Sequence, residues 1–177
     1  GGCKEFAIRA AQHAARTAGN DPFEFLQPVF MTIAMATVSK SGVQARELGF
    51  AVDADKIVFN ANELLYVALR EARGYAEGGY YPRLSPRQIK VAGRTGIANC
   101  EMMLVNMKEG GMISAHDYAV AKAAATALCG GDVETGSLVD EQWLLSVERQ
   151  LFVALLKNEK TQQRIQHMLA TGKALRN

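Results

Sequence analysis

The sequence predicts a mainly α protein of about seven or eight helices with at most one or two short strands. Three observations predict it. Apolar residues recur at three- and four-residue spacing along most of the 177 residues. Helix starts carry capping signatures in "DPFE", "SGVQ", "NANE" and "SAHD". Glycine, often doubled, stands where the periodic stretches run out.

The first helix is expected over 3–18. Phe6, Ala10 and Ala14 form one side of its stripe, Ala7, Ala11 and Ala18 the other, and Gly19 supplies the stop. Alanine buries little area, so this helix needs a closely fitting neighbour. In "DPFE", Asp21 caps, Pro22 fits the first helical position and Glu24 can return a bond. The broad apolar face of Phe25, Leu26, Val29, Phe30 and Ile33 follows, and Pro28 within it predicts a kink or a restart.

Ser41 and Gln44 open a short helix through Leu48, stopped by Gly49. "KIVF" (56–59) reads as extended. Asn60 and Glu63 then cap a helix carrying Leu64, Leu65, Ala68 and Ala72, which ends before Gly78-Gly79. "YYPRLSPRQIKVAG" (80–93) reads as a surface linker with one short strand. Helices near 95–109, 115–129, 140–157 and 159–171 complete the chain, with Ser114 and Asp117 boxing the second of these.

Composition narrows the function classes. At 49% apolar and 21% charged the chain is globular rather than disordered, and a net charge of +2 makes no nucleic-acid footprint. Cys3, Cys100 and Cys129 are an odd, widely spaced set, read as reduced thiols. No apolar run reaches the roughly 20 residues that cross a bilayer, so no integral membrane segment is expected and a cytoplasmic protein is.

Chemistry is harder to find. His13, His116 and His167 each stand alone and read as partly exposed helix residues, so no metal site is expected. No GxSxG elbow is present, and the Gly-Gly pairs at 78–79, 110–111 and 130–131 read as helix stops rather than phosphate loops. Met102, Met103 and Met107 are expected to fill core gaps, and Trp143 to anchor a core or an interface. Glu101, Glu109 and Asp117 lack a paired carboxylate and read as caps or solvated charges. No residue of the chain is assigned a catalytic role.

Two segments resemble the crotonase superfamily of enoyl-CoA hydratases and isomerases. "GGCKEFAIRAA" is similar to the Gly-Gly loop and helix that follow that family's catalytic strand, and "SKSGVQARELGFAVDADKI" resembles its next marker, an alanine-rich turn ending in glycine. The ending "NEKTQQRIQHMLATGKALRN" is similar to the family's C-terminal helix and basic tail. The long stretch 80–136 is closest to fused β-oxidation enzymes that carry an NAD-dependent 3-hydroxyacyl-CoA dehydrogenase portion before the hydratase portion. The resemblance implies the helical C-terminal half of a crotonase-like fold, with 1–79 belonging to that domain, 80–136 a family-specific helical insertion, and 137–177 the last helices and basic tail.

The family's two catalytic glutamates and its oxyanion-hole amides precede the Gly-Gly loop, so the resemblance places this chain's parent chemistry upstream. It also implies NAD and an acyl-CoA substrate for the parent, with no cofactor in this chain. Gly1 and Gly2 would flank the acyl-thioester site, while Lys173 and Arg176 would approach CoA phosphates. Upstream dehydrogenase and hydratase-core segments are the expected partners. Phe25, Leu26, Phe30 and Ile33 are expected to form an uncovered apolar patch and, through it, a homo-oligomer. The alternative is a stand-alone helical interaction or oligomerisation module.

Overall fold

The computed structural model describes all residues, Gly1–Asn177. It is mainly α, with eight helices and two short strands: α1 (Gly2–Ala14), α2 (Phe23–Ala34), α3 (Gly42–Glu47), α4 (Leu64–Glu77), β1 (Ile89–Lys90), α5 (Gly93–Glu109), α6 (Ala115–Leu128), β2 (Leu138–Val139), α7 (Glu141–Leu156) and α8 (Glu159–Thr171). Two compact units divide it, one of residues 1–36 with 86–177, the other of residues 37–85.

In the larger unit α1 is the hub, touching α2, α6, α7 and β1. Ala7, Ile8, Ala10 and Ala14 are buried along it, and the absence of bulk is what lets several neighbours come close. The main core joins Leu26 and Phe30 of α2, Cys100 and Leu104 of α5, and Ala121, Ala125 and Leu128 of α6. A second cluster sets Ala7 and Ile8 against Ile89, Val91 and Leu144. The strands pair antiparallel, Ile89 with Val139 and Lys90 with Leu138. The Val91 amide lengthens this ladder by donating to the Ser137 carbonyl at 3.0 Å.

Caps form where local chemistry asks for them. Asp140 accepts from the Trp143 amide at 2.7 Å and Asn158 from Lys160 at 2.9 Å, whereas α2 has Pro22 at its cap position rather than inside the helix, and Asp21 before it accepts from the Phe23 amide at 2.9 Å. Ser114 and Asp117 complete a reciprocal box. The doubled glycines follow the ends of α4, α5 and α6.

Several expectations change. α1 ends at Ala14 rather than 18, because the Thr17 amide and hydroxyl both turn back to the Ala14 carbonyl, at 2.9 and 2.8 Å. α2 passes Pro28 without a break. Residues 56–59 pair with no strand, and the end of the expected surface linker is core, since Ile89, Val91 and Ala92 are buried. Met103 and Met107 pack in the core, whereas Met102 is exposed. His116 is buried, its Nε2 3.0 Å from Thr161 Oγ1. Trp143 is 44% exposed and donates from Nε1 to the Gly130 carbonyl at 2.9 Å.

The expected apolar patch on α2 is not there. Leu26 and Phe30 are fully buried, and Phe25 and Ile33 pack beside them. The chain's own α1, α5 and α6 cover the face, which removes the reason for expecting self-association through it.

The smaller unit is built differently. Ser41 caps α3 by accepting from the Gln44 amide at 3.1 Å, and Gly49 stops it with φ +77°. Asn60 starts a 3-10 turn (Ala61–Glu63) that runs into α4. No residue of 37–85 is buried.

Candidate functional site

Two neighbouring grooves lie on the larger unit, and both are floored by α6. The first, of about 580 Å3, runs between the start of α1, α6 and α7; Val120, Ala124 and Ala127 form the floor and Leu151, Phe152 and Leu155 the wall. The second, of about 350 Å3, is bounded by the end of α2, α8 and the tail after it, with Arg164, Leu175 and Arg176 at its edge. Val120 and Ala124 belong to both, so the grooves form one valley across α6. Both volumes fall within or near the roughly 300–1,000 Å3 of small-molecule clefts.

Polar groups mark the two ends. At the first, Gly1 lies on the rim beside Cys3 and Glu148. Glu148 accepts from the Lys4 amide at 3.1 Å, and its other oxygen is 2.5 Å from the Gly1 nitrogen. A carboxylate therefore already compensates the positive end of α1. Burial, then the nearby Glu148 charge, pushes the Cys3 thiol up to about 11, which leaves it protonated and a poor nucleophile near neutrality. Next to this end, Lys4 is buried and binds Glu5 at 2.5 Å and Glu141 at 2.6 Å. Burial alone would lower its ammonium, but the bonds to Glu141 and Glu5 outweigh that and raise it.

At the other end the tail folds back. Gly172 adopts φ +68°, and Asn177 returns to accept from Arg164 Nε at 2.8 Å through its side chain and from Ser114 Oγ at 3.1 Å through its carbonyl. Arg164 also reaches Asp117 at 2.8 Å. Burial works to raise the Asp117 carboxyl, yet hydrogen bonds from Ser114 and Arg164 prevail and hold it below the usual range. Arg176 lies 3.9 Å from the same carboxylate and donates to the Met35 carbonyl at 3.4 Å.

The four sequence-predicted site residues are thus placed unequally. Gly1 and Arg176 fall at opposite ends of the valley. Gly2 opens α1 and an added Cβ there meets nothing within 4 Å. Lys173 is exposed and lines neither groove. Sequence reasoning missed the floor and walls, Val120, Ala124 and Phe152, because apolar residues on helices give no sign of which gap they border. It also missed Arg164, whose pairing with Asp117 depends on how α8 lies against α6. The valley can hold an apolar segment with a cation at one end. Its carboxylates, Glu148 and Asp117, are already committed to helix starts and to arginine.

No family model matches this chain, and no solved structure matches it. Over all 177 residues it is 41% identical to a protein of Bacillus subtilis (strain 168) named Probable 3-hydroxyacyl-CoA dehydrogenase. The chain spans 22% of that relative's length.

Proposed function

We propose that this chain is a helical segment of a longer, NAD-dependent 3-hydroxyacyl-CoA dehydrogenase. The observation that carries the reading is the 41% identity over all of this chain and 22% of a protein so named. At the finer level, the parent is a fused β-oxidation enzyme of the cytoplasm with a crotonase-type enoyl-CoA hydratase portion. The segment's markers support this in their order, "GGCKEFAIRAA" before "SKSGVQARELGF" before the basic ending. On that view residues 1–79 continue the hydratase-type domain, 80–136 are an insertion and 137–177 close the chain. The catalytic glutamates and the NAD site belong to upstream segments of the same polypeptide.

This chain's own part is to complete the acyl-CoA site. Gly1 and Gly2 flank the thioester, the apolar valley takes up an apolar part of the ligand, and Arg176 with Lys173 meets the CoA phosphates. The position of Gly1 on one rim and of Arg176 on the other supports that arrangement.

Two assays of the full-length enzyme test the reading: NAD reduction with a 3-hydroxyacyl-CoA, and hydration of a 2-enoyl-CoA. Both activities are expected, and the purified 177-residue chain should show neither. Arg176→Ala in the full-length enzyme should raise KM for the CoA ester about tenfold and leave kcat unchanged, the pattern of lost uniform binding. Full-length protein that oxidises no 3-hydroxyacyl-CoA sinks the reading. Hydration by the 177 residues alone sinks the placement of the glutamates.

A further inference from the structure

Helix α1 begins without a cap of its own. Gly1 holds the cap position and has no side chain to offer the orphan amides of the first turn, and Gly2 after it is a weak helix former. No neighbour within these 177 residues requires glycine there, since a Cβ added at either position meets nothing within 4 Å. In the proposed function the demand comes from the thioester that passes the pair.

The missing acceptor is supplied by α7. Glu148, 144 residues beyond Lys4, takes the Lys4 amide at 3.1 Å on one oxygen and the Gly1 nitrogen at 2.5 Å on the other. In a longer polypeptide the Gly1 nitrogen is a peptide amide, still a donor. Lys4 is gripped a second time through its ammonium, which lies 2.6 Å from Glu141 on a side chain only 10% exposed. Glu141 and Glu148 are seven residues apart, two turns of α7, and so share one face of it. Leu144 stands between them and is buried in one cluster with Ala7 and Ile8 of α1. One residue held at its amide and at its side chain, from two points on a single helix, fixes both where α1 starts and how it is rolled.

We propose that Glu148 is a positioning residue for the acyl-thioester site: it replaces the cap that Gly1 lacks, and with Glu141 it sets the Gly1-Gly2 loop against α7. The inference rests on the reading of those glycines as flanking the thioester. It gives Glu148 no chemical step, because both of its oxygens accept from α1.

Kinetics and hydrogen exchange in the full-length enzyme test it. Glu148→Ala should lower kcat for hydration of a 2-enoyl-CoA about tenfold and leave KM within about twofold, because a loosened loop forfeits orientation rather than binding. Glu148→Gln keeps an oxygen for the Lys4 amide and should restore kcat to within about threefold of the unsubstituted enzyme. NAD reduction with a 3-hydroxyacyl-CoA should be unchanged in both variants. Independently of activity, the amides of Gly2, Cys3 and Lys4 should exchange about tenfold faster in Glu148→Ala, with those of α6 unaltered. Unaltered exchange at the start of α1, an unaltered kcat, a rise in KM in place of the kcat loss, or equal loss of both activities overturns the proposal. The two ideas fail separately. A protein that hydrates nothing, yet loosens at α1 in Glu148→Ala, sinks the reading and upholds the setting of the loop by Glu148. A working hydratase indifferent to Glu148→Ala sinks the positioning alone.

Discussion

Phe30 of α2 and Leu69 of α4 hold comparable places, each a large apolar residue on the apolar face of an amphipathic helix. Phe30 is fully buried, whereas Leu69 stands in water. The difference lies in what surrounds the helices. α2 meets α1 just before it and α5 and α6 from far along the chain, and α4 meets little beyond the turn that precedes it. Amphipathicity states that a face needs a cover, while the identity of the cover is a property of the whole chain.

The largest expected effect separates these two positions. In the 177-residue chain, Phe30→Ala should lower stability by about 3–5 kcal/mol, as large-to-small changes in a packed core do. Leu69→Ala should change it by no more than about 0.5 kcal/mol, as exposed substitutions do. Urea denaturation followed by far-ultraviolet circular dichroism reads both, since each unit carries helix, whereas Trp143 fluorescence reports only the unit that holds Phe30. Equal losses would erase the distinction between the units.

A smaller contrast concerns two glycines of positive φ. Gly130 (φ +87°) follows α6, and an added Cβ would come within 2.5 Å of Val91 Cγ1 in the second cluster. Gly79 (φ +73°) follows α4, and the same atom would meet nothing within 4 Å. Gly130→Ala therefore combines left-handed strain with overpacking and should destabilise by about 2–4 kcal/mol. Gly79→Ala carries the strain alone, about 1–2 kcal/mol. Thermal melts of the two variants order them. A Gly79→Ala loss as large as that of Gly130→Ala would mean that the smaller unit is packed more tightly than its exposure implies.

What the sequence made legible follows the same division. Ser41, Asn60 and the Ser114–Asp117 pair all cap where the sequence places them, because a cap needs only three or four residues of context. The α2 patch was misjudged because its cover comes from α5 and α6, beyond any local window. The valley on α6 left no trace for a related reason. Val120 and Ala124 read as ordinary helix residues, and only the placement of α7, α8 and the returning tail makes them a floor. Arg176 was singled out through its resemblance to a basic tail, and the fold sets it beside Asp117, a residue read only as a cap.

The smallest expected effect is one of pH, and it tests whether the returning tail belongs to the folded unit. His116 and Asp117 are consecutive on α6 and both face α8, which brings Arg164 near them. Burial lowers the His116 imidazole, and the charges of Arg164 and Lys160 lower it further. The unfolded chain therefore takes up that proton first, near pH 6.5, so stability present at neutral pH falls as the pH drops through that value toward the lower folded one. Asp117 acts in the same direction at lower pH. Its folded carboxyl is held down, so its contribution is complete above about pH 4 and is lost as pH falls through the folded value. Urea midpoints should decline modestly between about pH 7.5 and pH 5, then more steeply below about pH 4. His116→Gln keeps a partner for the Thr161 hydroxyl and removes the titration, so it should flatten the upper limb and leave the lower one. Removing Asn177 withdraws the group that holds Arg164 from the other side, and should steepen the upper limb if Arg164 then turns more fully toward His116. An unchanged profile in both variants would detach His116 and the tail from the pH response.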